Sequence, residues 1–174
     1  MAIASCLVDT NILLRATRRA DPQHQVVSTS LARLANDGTL LHYTPQNIAE
    51  MWNAMTRPTT RNGLGLSVVD ADREVRAIET GMILLPDSEA VYSEWRRIIV
   101  RYSVLGVQVH DARLAASMIV HGVLSILTFN VGLQPLHRTD RSPSKQHLAF
   151  SPVESDDRIL YCVRRAPKKE KRGP

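Results

Sequence analysis

Three acidic residues occupy places from which they could act together on a ligand: Asp9, Glu50 and Asp111. Asp9 closes the short apolar run Ile3-Ala4-Ser5-Cys6-Leu7-Val8, which reads as a buried strand. Glu50 falls about one and a half turns into a helix that Pro45 opens, and Asp111 falls in the first turn of a helix starting near Gln108. In a parallel α/β sheet, strand ends and the starts of the following helices share one edge, where ligands bind. Carboxylates gathered there without partners repel and raise each other's pKa. A hard divalent cation relieves that repulsion, and oxygen ligands suit Mg²⁺ or Mn²⁺. Mg²⁺ held in this way keeps waters and takes phosphate oxygens, as phosphodiester hydrolysis requires. Spacing by itself does not select these three from 17 acidic residues, and Asp9 read in isolation serves as readily as a helix cap.

Strands must alternate with helices for the acids to meet. After Asp9, with Thr10 or Asn11 able to cap, Ile12, Leu13 and Ala16 give helical spacing to about Arg19. Asp21-Pro22 breaks that helix and starts a second one, with Val26, Val27, Leu31 and Leu34 on one face, ending at Asn36-Asp37-Gly38. Thr39 to Thr44 reads as the second strand. The next helix carries Ile48, Met51, Trp52 and Met55 as its packed stripe and stops before Pro58. A polar loop from Thr59 to Gly65 leads to a helix from Ser67 to about Thr80 and a short extended piece, Met82 to Pro86. Asp87-Ser88-Glu89 begins a long amphipathic helix expected to reach about Leu105, and a further helix ends at His121-Gly122. Val123 to Asn130 is a strand ending in polar groups. This alternation predicts a three-layer α/β/α sandwich with a mainly parallel central sheet.

A chain of 174 residues fits one domain, expected over residues 1–152 with an irregular stretch at 131–146. His147 to Phe150 reads as a last edge strand, and 153–174 as a basic, flexible tail with Leu160 to Val163 as a small anchor. The net charge of +5 is a property of that tail. Residues 158–174 hold seven basic groups against Glu170 alone, so the first 157 residues sit about one charge below neutrality. The overall pI therefore does not define a nucleic-acid-binding body. No apolar run reaches membrane-spanning length, and neither a secretory leader nor a cysteine framework is visible. Cys6 reads as a small buried hydrophobe, and a cytoplasmic setting is expected.

Val8-Asp9-Thr10-Asn11-Ile12-Leu13-Leu14-Arg15, Ile48-Ala49-Glu50, His110-Asp111-Ala112-Arg113-Leu114-Ala115-Ala116 and Leu127-Thr128-Phe129-Asn130, in this order, resemble a PIN-domain ribonuclease. Within that family they are most similar to VapC-type toxins of bacterial toxin–antitoxin pairs. The likeness covers roughly residues 3 to 131, and the four-part set is specific where each piece alone is weak. It implies that Asp9, Glu50 and Asp111 coordinate Mg²⁺ or Mn²⁺, and that the bound metal activates water for attack on an RNA phosphodiester. Thr10, Asn11, Thr128 and Asn130 would orient ligands and waters. It also implies homodimers and silencing by a small antitoxin protein, with no membrane involvement.

One position departs from the family pattern. A fourth acid usually follows the Thr-x-Asn strand end by three residues; here Leu133 stands there, and Asp140 is the nearest downstream acid. That departure motivates an alternative, a catalytically impaired PIN module that still binds RNA or an antitoxin. Arg15, Arg57, Arg61 and Arg113 can hold RNA phosphates or simply be solvated. His110 and His121 read as helix-end residues, and no His–Cys spacing supports zinc. Trp52 and Trp95 lie in apolar stripes, as core or subunit contacts. A phosphatase-like or nucleotide-binding α/β domain fits less well, because no second acid follows Asp9 by two residues.

Overall fold

The computed structural model describes residues 4–130, 148–153 and 160–165, the last two segments as backbone. Strand β1 is Ser5–Val8, and helices α1 (Thr10–Thr17) and α2 (His24–Asn36) follow it. Strand β2 is Leu40–Tyr43, followed by α3 (Pro45–Thr56), a single 3₁₀ turn at Thr59–Arg61, α4 (Val68–Gly81) and the two-residue strand β3 (Ile83–Leu84). Helices α5 (Glu89–Arg101) and α6 (Gln108–His121) then lead to β4 (Ser125–Thr128), and strands β5 (Leu148–Val153) and β6 (Leu160–Arg165) complete the described elements.

The sheet order is β3-β2-β1-β4-β6-β5. The first four strands are mutually parallel, with Cys6 opposite Leu41 and Ser125 at the centre. Period-two alternation sorts β1 between the two faces. Cys6 and Val8 join Ile12, Leu13, Val27, Met51, Met55, Val75 and Ile78 under helices α1 to α4. Leu7 turns the other way, to Leu114, Val123 and Ile126. Helix α6 covers that second face through Leu114 and Met118, and α5 packs against α6 through Val91, Ile98, Ala112 and Ala116. The result is the expected three-layer α/β/α sandwich. Trp52 and Trp95 are both partly buried against these clusters.

Local chemistry sets the helix ends. Thr44 caps α3 through a capping box in which Asn47 fills the place usually held by Glu or Gln. Gly122 ends α6 in the left-handed region at φ 70°, which only glycine adopts without strain. Two expectations need correction. Helix α5 stops at Arg101 rather than near Leu105, because Ser103 turns left-handed at φ 50° and the Val104 N–H folds back onto the Ile99 carbonyl at 3.0 Å. Residues 160–165 are also not part of a tail: they form a strand lying antiparallel between β4 and β5, with Ser125 opposite Arg164. The segment 131–146, with Leu133 and Asp140, lies outside the described residues, as do 166–174. Among the described residues no helix is long and apolar enough to cross a membrane.

Strand β6 is β4's neighbour on the side away from β1, so a chain ending at residue 159 leaves that edge of β4 unpaired. We expect this truncation to destabilise the fold by at least as much as Leu7→Ala in the core, about 2–5 kcal/mol, and to promote self-association. Denaturant titration and light scattering check both. Unchanged stability would mean that β4 does not need this neighbour.

Candidate active site

All three sequence-selected acids reach the edge formed by the carboxyl ends of the parallel strands. Asp9 follows β1 directly, and its N–H bonds the Leu127 carbonyl at 3.0 Å, locking the ends of β1 and β4 together. Its side chain does not cap α1. Instead Oδ2 accepts from Asn11 Nδ2 at 2.6 Å and from Thr128 Oγ1 at 2.6 Å. Asn11 also donates to Thr128 Oγ1 at 3.1 Å and accepts the Phe129 N–H at 3.2 Å. Asn130 supplies its backbone N–H to the same Thr128 hydroxyl at 2.9 Å. One buried threonine thus ties together a carboxylate, an amide and the strand end.

Glu50 is held from two sides. Thr10 Oγ1 donates to Oε2 at 2.8 Å and Gln46 Nε2 donates to Oε1 at 2.8 Å. Gln46 also donates to the His110 carbonyl at 3.2 Å, which links the Glu50 helix to the first turn that carries Asp111. Behind them Asn47, fully buried, donates to Thr10 Oγ1 at 3.1 Å while its own carbonyl accepts the Thr44 N–H at 2.9 Å. The motif reading missed Gln46, Asn47 and the site-side place of His110. The signal for Asn47 was present in the Thr44-Pro45-Gln46-Asn47 helix start. For Gln46 there was none beyond its place one turn before Glu50.

The acids feel one another. Burial pushes the Asp9 carboxyl above the usual carboxylate range, against the pull of the Thr128 hydroxyl and the Thr10 N–H, and the charges of Glu50 and Asp111 push the same way. Burial raises Asp111 as well, followed by the charge of Glu50, with His110 opposing. Among the described residues the cluster has one basic neighbour at ion-pair range, the His110 imidazole, whose Nδ1 lies 3.9 Å from Glu50 Oε1.

As a donor set the cluster fits a hard divalent cation in chemistry: oxygen only, partly desolvated, and short of positive charge. As the side chains stand, no three Asp, Glu, His or Cys residues among the described ones are placed to hold a single ion. Three carboxylates gathered at one edge are therefore a different matter from a closed cage.

The arginines divide. Arg15 is bound internally, to the Asn11 carbonyl at 2.6 Å, to Gln23, and over the Phe129 ring at 4.9 Å. Arg57 closes the loop after α3 through the Asn62 carbonyl at 3.0 Å, and Arg61 is exposed in that loop. Arg57 follows Glu50 by seven residues, roughly 10 Å at 1.5 Å each, and its guanidinium is bonded into the loop rather than to the acids. Arg113 pairs with Asp87 at 2.6 Å beside the first turn of α6.

The chain belongs to the PIN-domain family, whose model matches residues 6–139. Solved structures share its fold. VapBC2 from Rickettsia felis, bound to a DNA fragment from its promoter, superposes with a TM-score of 0.58 at 12% identity, over 76% of this chain and 92% of that one. VapC20 from Mycobacterium tuberculosis, a sarcin–ricin loop cleaving toxin, gives 0.56 at 17% identity over 74% and 92%. FitAcB from Neisseria gonorrhoeae gives 0.52 at 18% identity over 75% and 92%. No curated protein matches the chain.

The raised pKa of Asp9 carries a sign. A carboxyl that holds its proton more tightly folded than unfolded stabilises the fold below its unfolded pKa, and this contribution is lost as pH rises through the folded value. At neutral pH the ionised Asp9 is therefore a liability to stability. Asp9→Asn, which keeps an acceptor for Thr128, should melt higher than the parent at pH 7, with the difference vanishing in acid. A thermal scan across pH checks this; a variant less stable at neutral pH would contradict it.

Proposed function

We propose that this protein is a divalent-metal-dependent endoribonuclease, the toxin of a toxin–antitoxin pair. The observation that carries the reading is the set of three acids, Asp9, Glu50 and Asp111, repelling one another at the ligand-binding edge of a PIN domain, with no arginine or lysine among the described residues to neutralise them. These three would hold Mg²⁺ or Mn²⁺. When bound, the ion supplies a more acidic water and charge neutralisation at the phosphate. The chain's own part is positioning. Asn11 and Thr128 fix the rotamer of Asp9, Thr10 and Gln46 fix Glu50, and Gln46 ties Glu50 to the turn bearing Asp111.

RNA as substrate is supported by the four-part motif and by the shared fold with VapC20, itself a sarcin–ricin loop cleaving toxin. The motif likeness extends the reading to a small antitoxin that covers the acidic edge, to a homodimer and to a cytoplasmic setting. The second reading, an impaired PIN module that binds RNA or an antitoxin without cutting, draws on Leu133 in place of the fourth acid and on the open arrangement of the carboxylates.

Protein stripped with chelator and then given Mn²⁺ or Mg²⁺ should melt higher, while Asp9→Asn should respond weakly, because a ligand stabilises only the state that binds it. With metal restored, the parent should cleave structured RNA and Asp9→Asn should lose at least about 100-fold in rate, the scale of removing one preorganised electrostatic group. Equal cleavage by both proteins rejects the metal-nuclease reading. Metal binding without cleavage favours the impaired module.

A further inference from the structure

Beside the acids, a cleft of about 520 Å³ opens between the first turns of α5 and α6, within the size range of small-ligand sites. Its lining includes Val91, Tyr92, Trp95 and Val109, with His110 on the α6 side and the paired Arg113 and Asp87. Tyr92 is 59% exposed, unusual for an aromatic ring on a helix whose other face packs inward. Its ring lies 5.9 Å from that of Trp95, tilted by 54°, and the Trp95 indole is fixed by an Nε1 bond to the Val109 carbonyl at 3.0 Å. His110 belongs to both places: it lines the cleft, and its Nδ1 stands 3.9 Å from Glu50. A molecule in the cleft is one side chain away from the carboxylates.

We propose that this cleft binds an unpaired nucleobase of the RNA next to the scissile phosphate, with the base stacked on Tyr92 and the adjoining phosphate taken by Arg113. The inference rests on the endoribonuclease reading and adds a substrate subsite to it. A largely apolar lining is wrong for a free anion or a metal. A preset aromatic face with a guanidinium at its rim is what single-stranded RNA uses, since bases stack and phosphates need a cation. Arg113 is available for exchange: its ion pair with Asp87 is 41% and 44% exposed, and such surface pairs hold weakly, so a phosphate can replace the Asp87 carboxylate. The proposal also separates Arg113 from Arg15 and Arg57, whose guanidinium groups are committed within the fold.

The test uses full-length protein and short single-stranded oligoribonucleotides carrying an abasic residue at successive positions, with binding read by fluorescence anisotropy on Asp9→Asn protein so that cleavage does not interfere. Tyr92→Ala in that background should weaken binding about tenfold, Tyr92→Phe should not, and one abasic position should cause the same loss. Combined with Tyr92→Ala, that abasic position should cost little more, because base and ring report one contact. Arg113→Gln should flatten the salt dependence of binding. Equal affinity of Tyr92→Ala and parent, or fully additive losses, overturns the base site. A change in oligomeric state or antitoxin affinity with RNA binding unaffected would give the cleft to a protein partner and also overturn it. If the parent binds RNA with this coupling but never cuts, the nuclease reading falls and the base site stands; if it cuts without the coupling, the reverse holds. A parent that binds no single-stranded RNA ends both.

Discussion

Like charge collected at one rim of a sheet is the constraint to which the surrounding structure answers. Asp9 and Asp111 are pushed above the usual carboxylate range by burial and by neighbouring acids, and no guanidinium or ammonium among the described residues relieves them. What holds Asp9 and Glu50 is a frame of neutral donors: the Thr10 and Thr128 hydroxyls and the Asn11 and Gln46 amides, with the Asn47 amide behind Thr10. Neutral donors fix direction without cancelling charge, so the cluster keeps its capacity to attract a cation. An arginine in Gln46's place would pair with Glu50 and cancel part of that charge.

The sheet makes the frame rigid. Cys6 and Val8 face one helical layer and Leu7 the other, so β1 is gripped on both sides and its last residue has little freedom. The Asp9 N–H to Leu127 bond then carries the position of β4 to the acid. Asn11 repeats the link one step out, through Thr128 and the Phe129 N–H. Displacing either strand by one residue would swap its side chains between the two packed faces, so the register that builds the core also aims the site.

Much of this was legible in order of residues, for reasons that can be named. The apolar run before Asp9 and the helical spacing after it are strong local signals, and so were β1, α1, α3 and α6. The acids themselves were not selected by local physics; the four-part motif selected them, and the topology then brought them together. Gln46 and Asn47 escaped because their partners are 64 and 37 residues away, on elements whose juxtaposition no local pattern carries. Strand β6 escaped for a related reason. Its basic flank looked like a solvated tail, whereas its place in the sheet comes from pairing with β4, which is a tertiary fact. The end of α5 depended on a serine in the left-handed region, where sequence favours glycine.

The arginines show why residue type alone could not decide their roles. Arg15, Arg57 and Arg113 are chemically identical, yet each has a different degree of freedom. Arg15 is anchored by a backbone carbonyl, a side-chain amide and an aromatic face, so moving it toward a substrate would break three contacts at the base of the site. Arg57 has its Nε buried without a partner and its terminal nitrogen on a loop carbonyl, which makes it part of a turn. Arg113 gives up only one exposed carboxylate when it moves. Since an exposed pair is worth little and a charge-assisted bond to phosphate forms as Asp87 is released, exchange at Arg113 is close to balanced, while at Arg15 it is uphill. Of these three arginines, the one with the least to lose on moving is thus on the helix that also carries Asp111.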